Sequence, residues 1–322
     1  MKQRILVLGA GGFIGSRVLH ALTQSSWAEP IAGSRSGTSI GNAESLRVDA
    51  CNATSLATAL SQCDAVVNCV AGSAESIIAN AKALKDSLGA DARSPRLVHL
   101  SSLAAYGSAR GDVDEDAPLL GDLDSYSHAK AEAERILGAY PNRVILRPGI
   151  VYGPKSIWWS DRIARLLMAR RLGNLGSNGN GICNLVYVDD VATAVVNALQ
   201  SSSSSGKAFN LSLPDSPTWN GYFTAYATAL NALPVRRISP SRLTVELKIK
   251  APVLKVAEIA SRAGPFKAWH PAPPIRPWLT TLCRHEIRMR VSRAETQLGM
   301  RWLPLTSSLQ QAAEWFLAGG RV

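Results

Sequence analysis

The strongest constraint on the fold is an apolar run, Arg4-Ile-Leu-Val-Leu8, that enters directly into Gly9-Ala-Gly11-Gly12-Phe13-Ile14-Gly15. Glycines at 9, 12 and 15 allow a tight turn, a close backbone approach to a pyrophosphate, and close packing of a following helix on the strand. The helix N-terminus then faces the phosphates with its unpaired N–H groups. A glycine-rich turn gains meaning from its context, and this one stands at the first strand-to-helix junction of an alternating pattern.

That alternation continues through the first half of the chain. Strands are expected near 4–8, 30–34, 46–49, 64–70, 96–101 and 143–147, with helices at roughly 13–24, 53–61, 74–89 and 125–139. The pattern predicts an α/β fold, a doubly wound parallel sheet (Rossmann) with a smaller C-terminal substrate-binding part. Residues 1–153 with 185–213 are expected to form the dinucleotide-binding domain, and 154–184 with 214–322 the substrate-binding part. After Pro154 comes a helix near 158–171 bearing four arginines, then the stretch GNLGSNGNGICN, which reads as loop. The segment NLVYVDDVATAVVNALQ returns to a strand-to-helix unit, with Asp189 and Asp190 placed to cap the helix. KAFNLS reads as one more strand, and the serines at 201–205 as a surface loop. From Pro214 onward clustered prolines predict short helices and irregular connections. One such helix is expected at 252–264, with Val253, Val256, Ala257 and Ala260 on its core-facing side.

Composition narrows the function classes. An apolar fraction of 46% and a charged fraction of 18% describe a folded chain. The apolar run after the basic start is too short and glycine-rich for a secretory signal, and no run is long enough for a transmembrane segment. The 5 cysteines are odd in number and lack CxxC pairing, so neither a disulfide framework nor a metal site is indicated, and a cytoplasmic setting is expected. The net charge of +11 is uneven: residues 235–322 hold 15 basic and 5 acidic side chains, net +10, which leaves +1 for residues 1–234. Such a region attracts an anionic small-molecule substrate, a membrane surface or nucleic acid, or is simply a solvated basic face. No nucleic-acid motif supports that partner.

The segment after the second strand, AGSRS, carries Arg35 and no nearby acid. An acid there suits the ribose hydroxyls of NAD, whereas an arginine suits a 2′-phosphate, so NADP(H) is favoured over NAD(H). A surface arginine without a ligand is the competing reading. Asp49 stands where an acid faces adenine, or caps a loop. Tyr126 and Lys130, four residues apart in SYSHAK, share one helical face, and an ammonium beside a phenol favours the phenolate. Tyr126 then exchanges a proton with a reacting oxygen. His128, two residues on, points elsewhere and is expected to be exposed.

The set GAGGFIG, Asp49, VVNCVAG, LSSLAAYG, YSHAK, LRPGIVYGP, YVDDVA and VSRAETQLGMRW resembles the extended short-chain dehydrogenase/reductases, the NAD-dependent epimerase/dehydratase family, across essentially the whole chain. The resemblance implies an NAD(P)-dependent enzyme in which Ser102 hydrogen-bonds the substrate oxygen, Tyr126 is the acid/base and Lys130 orients the nicotinamide ribose. It places Val70 and Ala71 on the adenosine side, and Pro148, Gly149, Ile150 and Val151 beside the nicotinamide. Asn80 matches a helix asparagine of the family. Family dehydratases carry Asp-Glu immediately after the catalytic Ser/Thr, where Leu103-Ala104 stands here.

The expected activity is therefore NADP(H)-dependent interconversion of a ketone and a secondary alcohol. A sugar-nucleotide epimerase or reductase is the alternative within the family, and a non-catalytic NADP-binding regulatory or scaffold protein the alternative from another class. Substrate contacts are expected from Leu103, from Trp158 and Trp159, which line a substrate pocket or simply pack between the two parts, and from Arg288 and Arg290 in RHEIRMRVSR, where they and Arg284 offer a basic side to an anion. A homodimer is compatible with everything in the sequence.

Overall fold

The computed structural model describes residues 1–89, 94–250, Leu254 and 273–320. The strands are β1 Gln3–Leu8, β2 Ala28–Ser34, β3 Glu44–Arg47, β4 Ala65–Asn68, β5 Arg96–Leu100, β6 Gly111–Val113, β7 Arg143–Pro148, β8 Ile150–Tyr152, β9 Leu185–Tyr187, β10 Ala208–Leu211 and β11 Ile287–Met289. The helices are α1 Phe13–Thr23, α2 Ala53–Leu60, α3 Ala74–Ser87, α4 Ser125–Leu137, α5 Arg162–Met168, α6 Val188–Gln200, α7 Trp219–Ala229, α8 Pro240–Val245, α9 Pro277–Leu282, α10 Ser292–Gln297 and α11 Leu305–Leu317. The helix expected at 252–264 lies outside the described residues, Leu254 apart.

Seven strands form one sheet in the order β10-β7-β5-β4-β1-β2-β3, with every pairing parallel. Parallel strands covered on both faces are apolar throughout. Ile5, Leu6, Val7 and Leu8 of β1 and Ala65, Val66 and Val67 of β4 accordingly lie fully inside. On one face α2, α3 and α4 contribute Leu56, Leu60, Ile77, Leu84, Ala133 and Leu137 to a common core with Leu6, Leu8, Val66 and Leu97. On the other face α1 packs against α6.

The chain runs from β1 through β2 to β3 on one side, then returns to β4 on the other side of β1. Strand order therefore reverses between β1 and β4, the place where such sheets open a crevice beyond their carboxyl ends. The register sets Leu8 beside Asn68 and Gly33, which gathers the glycine turn, Cys69-Val70 and Ser34-Arg35 at one edge.

Two compact units divide the chain. The first is Met1–Gly149 with Val186–Pro214 and Met289–Trp302, and the second is Ile150–Leu185 with Asp215–Arg288 and Leu303–Val322. Met289–Trp302 is held in the first unit by Arg290 N–H, which donates to the Val113 carbonyl at 2.8 Å, and by Arg293, whose guanidinium pairs with Glu115 at 3.4 Å and Asp116 at 2.5 Å. The core of the second unit is aromatic: Trp219 lies between Trp159, Tyr222 and Phe223, and Tyr222 stacks on Tyr226 at 5.9 Å. In the same unit the fully buried Glu246 accepts from Arg171 at 2.6 Å and from Lys250 at 3.0 Å. After Pro214 the helices are short except for α7 and α11, of 11 and 13 residues.

Asp189 and Asp190 do not cap α6, contrary to the sequence expectation. The helix begins at Val188, so both lie within its first turn, where a negative charge complements the helix dipole. Asp189 instead pairs with Arg17 of α1, bidentate at 2.6 Å for both contacts.

Candidate active site

The glycine turn has the geometry a dinucleotide requires. Gly9 has a φ of +74°, and a side chain there would come within 2.9 Å of the Cys69 carbonyl oxygen. A Cβ on Gly15 would lie 2.1 Å from the Gly9 carbonyl oxygen, so α1 approaches β1 as closely as backbone allows. Gly12 N–H donates to Gly9 O at 2.9 Å and closes the turn. The N-terminus of α1 has no side-chain cap and no acidic residue in its first turn, which leaves donors aimed outward for an anion. Phe13 and Ile14, half-buried, lead into the helix.

Around the turn the other expected contacts take their places. Arg35 follows β2 directly, is exposed, and makes no hydrogen bond or ion pair with another described residue. Asp49 is exposed and its Oδ1 accepts from Cys51 N–H at 3.0 Å, the loop-capping geometry. Val70 and Ala71 follow β4 beside the turn, and Pro148 ends β7 in the first unit. Ile150 and Val151 are buried residues of β8 in the second unit. These features of the first unit fit an NAD(P) molecule: a glycine cradle too tight for side chains, an uncapped helix end, and a free guanidinium one strand away.

The catalytic candidates stand at the carboxyl end of β5 and the start of α4. A capping box fixes that start: the Asp124 carboxylate accepts from Ser127 N–H at 2.7 Å, and Asp124 N–H donates back to Ser127 Oγ at 3.0 Å. Ser102 follows β5 and caps a short 3₁₀ turn, Leu103–Tyr106, by accepting from Ala104 N–H at 3.1 Å. The Ser102 hydroxyl also lies beside the Tyr126 phenol and favours its ionised form. One turn further along α4, Lys130 is buried, with Nζ donating to the Leu100 carbonyl at 2.8 Å and lying 5.9 Å from the centre of the Tyr126 ring.

The electrostatics differ from the expectation that Lys130 lowers the Tyr126 pKa. Loss of water around the phenol raises it, and the Asp124 carboxylate adds to the rise, while the neighbouring Ser102 hydroxyl opposes both. The reason is that the Lys130 ammonium is turned toward Leu100 O instead of the phenol oxygen. Lys130 itself is pushed down to about 8 by desolvation, opposed by the Glu134 carboxylate. His128 is exposed, as its place on the helix requires.

Of the polar groups behind this site, sequence reasoning singled out Asn80 without a role and missed Asn68, His99 and Glu134. Asn80 is buried, accepting from Asn68 Nδ2 at 2.7 Å and donating to Ala50 O at 2.7 Å, and Asn68 Nδ2 also meets His99 Nδ1 at 2.9 Å. Desolvation and the Lys130 charge push His99 down to about 3, and its Nε2 is buried without a partner among the described residues. On the far side of Lys130, Glu134 accepts from Ser101 Oγ and from Arg147, whose Nη2 is 2.7 Å away and whose Nε is 3.1 Å from each carboxylate oxygen. The available signal was spacing: Glu134 stands four residues after Lys130.

The expected substrate residues separate. Leu103 sits in the 3₁₀ turn after Ser102. In the second unit Trp159 packs against Trp219 and Trp278, while Trp158 is 48% exposed with the Arg162 guanidinium 5.5 Å from its ring centre. Arg288 is a half-buried residue of β11 in the second unit. Arg290, in the first, is largely exposed and pairs with Asp112 at 2.7 Å. Among the described residues no helix is long and apolar enough to cross a membrane.

The family model for the NAD dependent epimerase/dehydratase family matches residues 5–212. Comparison with curated proteins gives no significant match. Similar solved structures include UDP-glucuronic acid 4-epimerase from Bacillus cereus in complex with NAD, at 18% identity and a TM-score of 0.71, covering 99% of this chain and 100% of that one. UDP-N-acetylglucosamine 4-epimerase from Bacillus cereus matches at 18% identity and a TM-score of 0.70, covering 98% and 100%. The dTDP-glucose 4,6-dehydratase of Bacillus anthracis str. Ames in complex with NAD matches at 18% identity and a TM-score of 0.71, covering 98% and 97%. At these identities the structures establish the fold, and the family model establishes the family. The chain belongs to the NAD dependent epimerase/dehydratase family and is an enzyme of the extended short-chain dehydrogenase/reductase type.

Proposed function

We propose that the protein is an NADP(H)-dependent oxidoreductase that interconverts a ketone and a secondary alcohol. The observation that carries this reading is the Ser102 hydroxyl beside the Tyr126 phenol, with the buried Lys130 one helical turn away. When bound, the nicotinamide cofactor supplies or accepts the hydride. Ser102 holds the substrate oxygen, Tyr126 donates a proton to that oxygen during reduction or takes it during oxidation, and Lys130 holds the nicotinamide ribose. Gly9, Gly12 and Gly15 bring backbone N–H groups to the pyrophosphate, with Phe13 and Ile14 beside it. Val70 and Ala71 flank the adenosine, Asp49 its base, and Pro148, Ile150 and Val151 the nicotinamide.

Leu103-Ala104 offers no carboxylate to eliminate water, which argues against a 4,6-dehydratase. Sugar-nucleotide epimerisation is the second reading, favoured by the similar structures whose names state a UDP-sugar activity. In that reading Arg288 meets the substrate diphosphate. The UDP-glucuronic acid 4-epimerase and dTDP-glucose 4,6-dehydratase structures are complexes with NAD, whereas Arg35, without a partner among the described residues, favours the 2′-phosphate of NADP. A charge-assisted contact contributes about 1.5–3 kcal/mol. NADPH should therefore bind the wild type at least roughly 10-fold more tightly than NADH by calorimetry, and Arg35→Asp should reverse the order. Equal wild-type affinities would remove the NADP reading.

A further inference from the structure

We propose that Glu134 is a positioning residue: held rigid by Arg147 and Ser101, its carboxylate keeps the buried Lys130 ammonium protonated and in place. This rests on the reading of Ser102, Tyr126 and Lys130 as the catalytic set.

Lys130 is 3% exposed, and its ammonium donates to a neutral acceptor, the Leu100 carbonyl. An ammonium in such a setting loses its proton more readily than in water unless an anion is close. Each element packed around it contributes a different group. From the end of β4 comes the Cys69 thiol, which burial pushes up to about 12 and so keeps neutral. From β5 comes His99, held neutral by burial and by Lys130 itself. On α4 the Tyr126 phenol is likewise held protonated, by desolvation. Glu134, one turn along the same helix, is the carboxylate acting on Lys130 among the described residues, and it opposes the loss of the proton.

The carboxylate cannot swing away. Ser101 Oγ donates to Oε1, Arg147 Nε reaches both oxygens at 3.1 Å, and Arg147 Nη2 reaches Oε2 at 2.7 Å. Arg147 is fixed in turn, because Nη1 donates to the Tyr106 hydroxyl and to the Glu115 carbonyl, both at 2.8 Å. Tyr106 then donates to Asn210 Oδ1 at 2.7 Å, and Asn210 N–H donates to the Glu115 carboxylate at 2.9 Å. A flexible glutamate would trade its interaction with Lys130 for water. This one holds its position through β7, β10 and the segment before α4.

The test is the titration of the Lys130 ζ-amine, followed by lysine-selective NMR on the full chain, with the resonance assigned by its loss in Lys130→Arg. In Glu134→Gln the midpoint should fall by about one pH unit or more, since a unit charge one helical turn away acts through a poorly screened interior. Cofactor affinity should then fall at pH values between the variant and wild-type midpoints and stay near wild type well below both. Glu134→Asp, which keeps the charge, should restore part of the shift. Should Glu134→Gln fail to fold because Arg147 is left unpaired, Glu134→Gln with Arg147→Met replaces the ion pair by neutral groups of similar volume and should lower the same midpoint. An unmoved midpoint in whichever variant folds overturns the proposal. Tyr126→Phe measured in parallel separates the two readings: if it is inactive while the Lys130 midpoint is unmoved, only the Glu134 role fails, and if it remains fully active, the catalytic set itself fails.

Discussion

His99 shows how a single buried side chain controls behaviour far from its own contacts. It is neutral in the folded protein because burial and the Lys130 charge push it down to about 3, against an ordinary value of 6.5. The unfolded chain therefore takes up a proton below about 6.5 that the folded chain refuses until about 3. Stability is fully present above about 6.5 and declines as pH falls through that window. Urea unfolding at pH 7 and pH 5 should give a difference with a contribution of about 2 kcal/mol from this residue. His99→Asn should flatten that part of the profile, and an identical slope in the variant would mean that other groups govern the acid limb. Nothing in LVHLSS distinguishes this histidine from an exposed one, since its neighbours Asn68 and Asn80 arrive from β4 and α3. Arg290 was illegible for the same reason: its partner Asp112 lies 178 residues away in the chain.

Among the elements, the β1–turn–α1 unit was the most legible and is the most intolerant of change. Its three glycines answer to three separate contacts, and the contact at Gly15 is backbone against backbone. Gly15→Ala would place a methyl group 2.1 Å from Gly9 O, where neither element can yield without moving the cradle. Overpacking of this kind destabilises by about 1–3 kcal/mol, and here it should also weaken NADPH binding by more than the stability loss explains. Thermal melting with and without cofactor tests this, and a variant that binds NADPH as the wild type does would show that the turn is not the pyrophosphate site. Helix α4 was legible in its first two turns, where Tyr126 and Lys130 are spaced on one face. Its third turn was not, because the meaning of Glu134 depends on Arg147 of β7, a contact set by how the helix lies on the sheet. The Asp189-Asp190 pair misled for a local reason: α6 starts two residues earlier than a cap at Asp189 requires, and α1 supplies Arg17.

For the whole molecule, periodicity and motif order were enough to specify the parallel sheet and its family, because the central strands β1, β4, β5 and β7 are short, apolar and closed by a turn. The second part was far less legible. Its core is built from Trp159 and from Trp219, Tyr222, Phe223 and Tyr226, which stand at i, i+3, i+4 and i+7 on α7, a helical period that the sequence analysis passed over among the clustered prolines. The basic C-terminal stretch likewise divides between the two units, so its net charge of +10 is not one patch by sequence alone. The most direct test of the central claim is NADPH oxidation against a panel of ketones by the wild type and Tyr126→Phe, with NADPH affinity measured for both. Proton transfer by a positioned side chain contributes roughly 100-fold or more, so the variant should lose at least that much turnover while its NADPH affinity stays within a few-fold of wild type. Tyr126→Phe keeping more than about a tenth of wild-type turnover would contradict the assignment of Tyr126 as the acid/base of this enzyme.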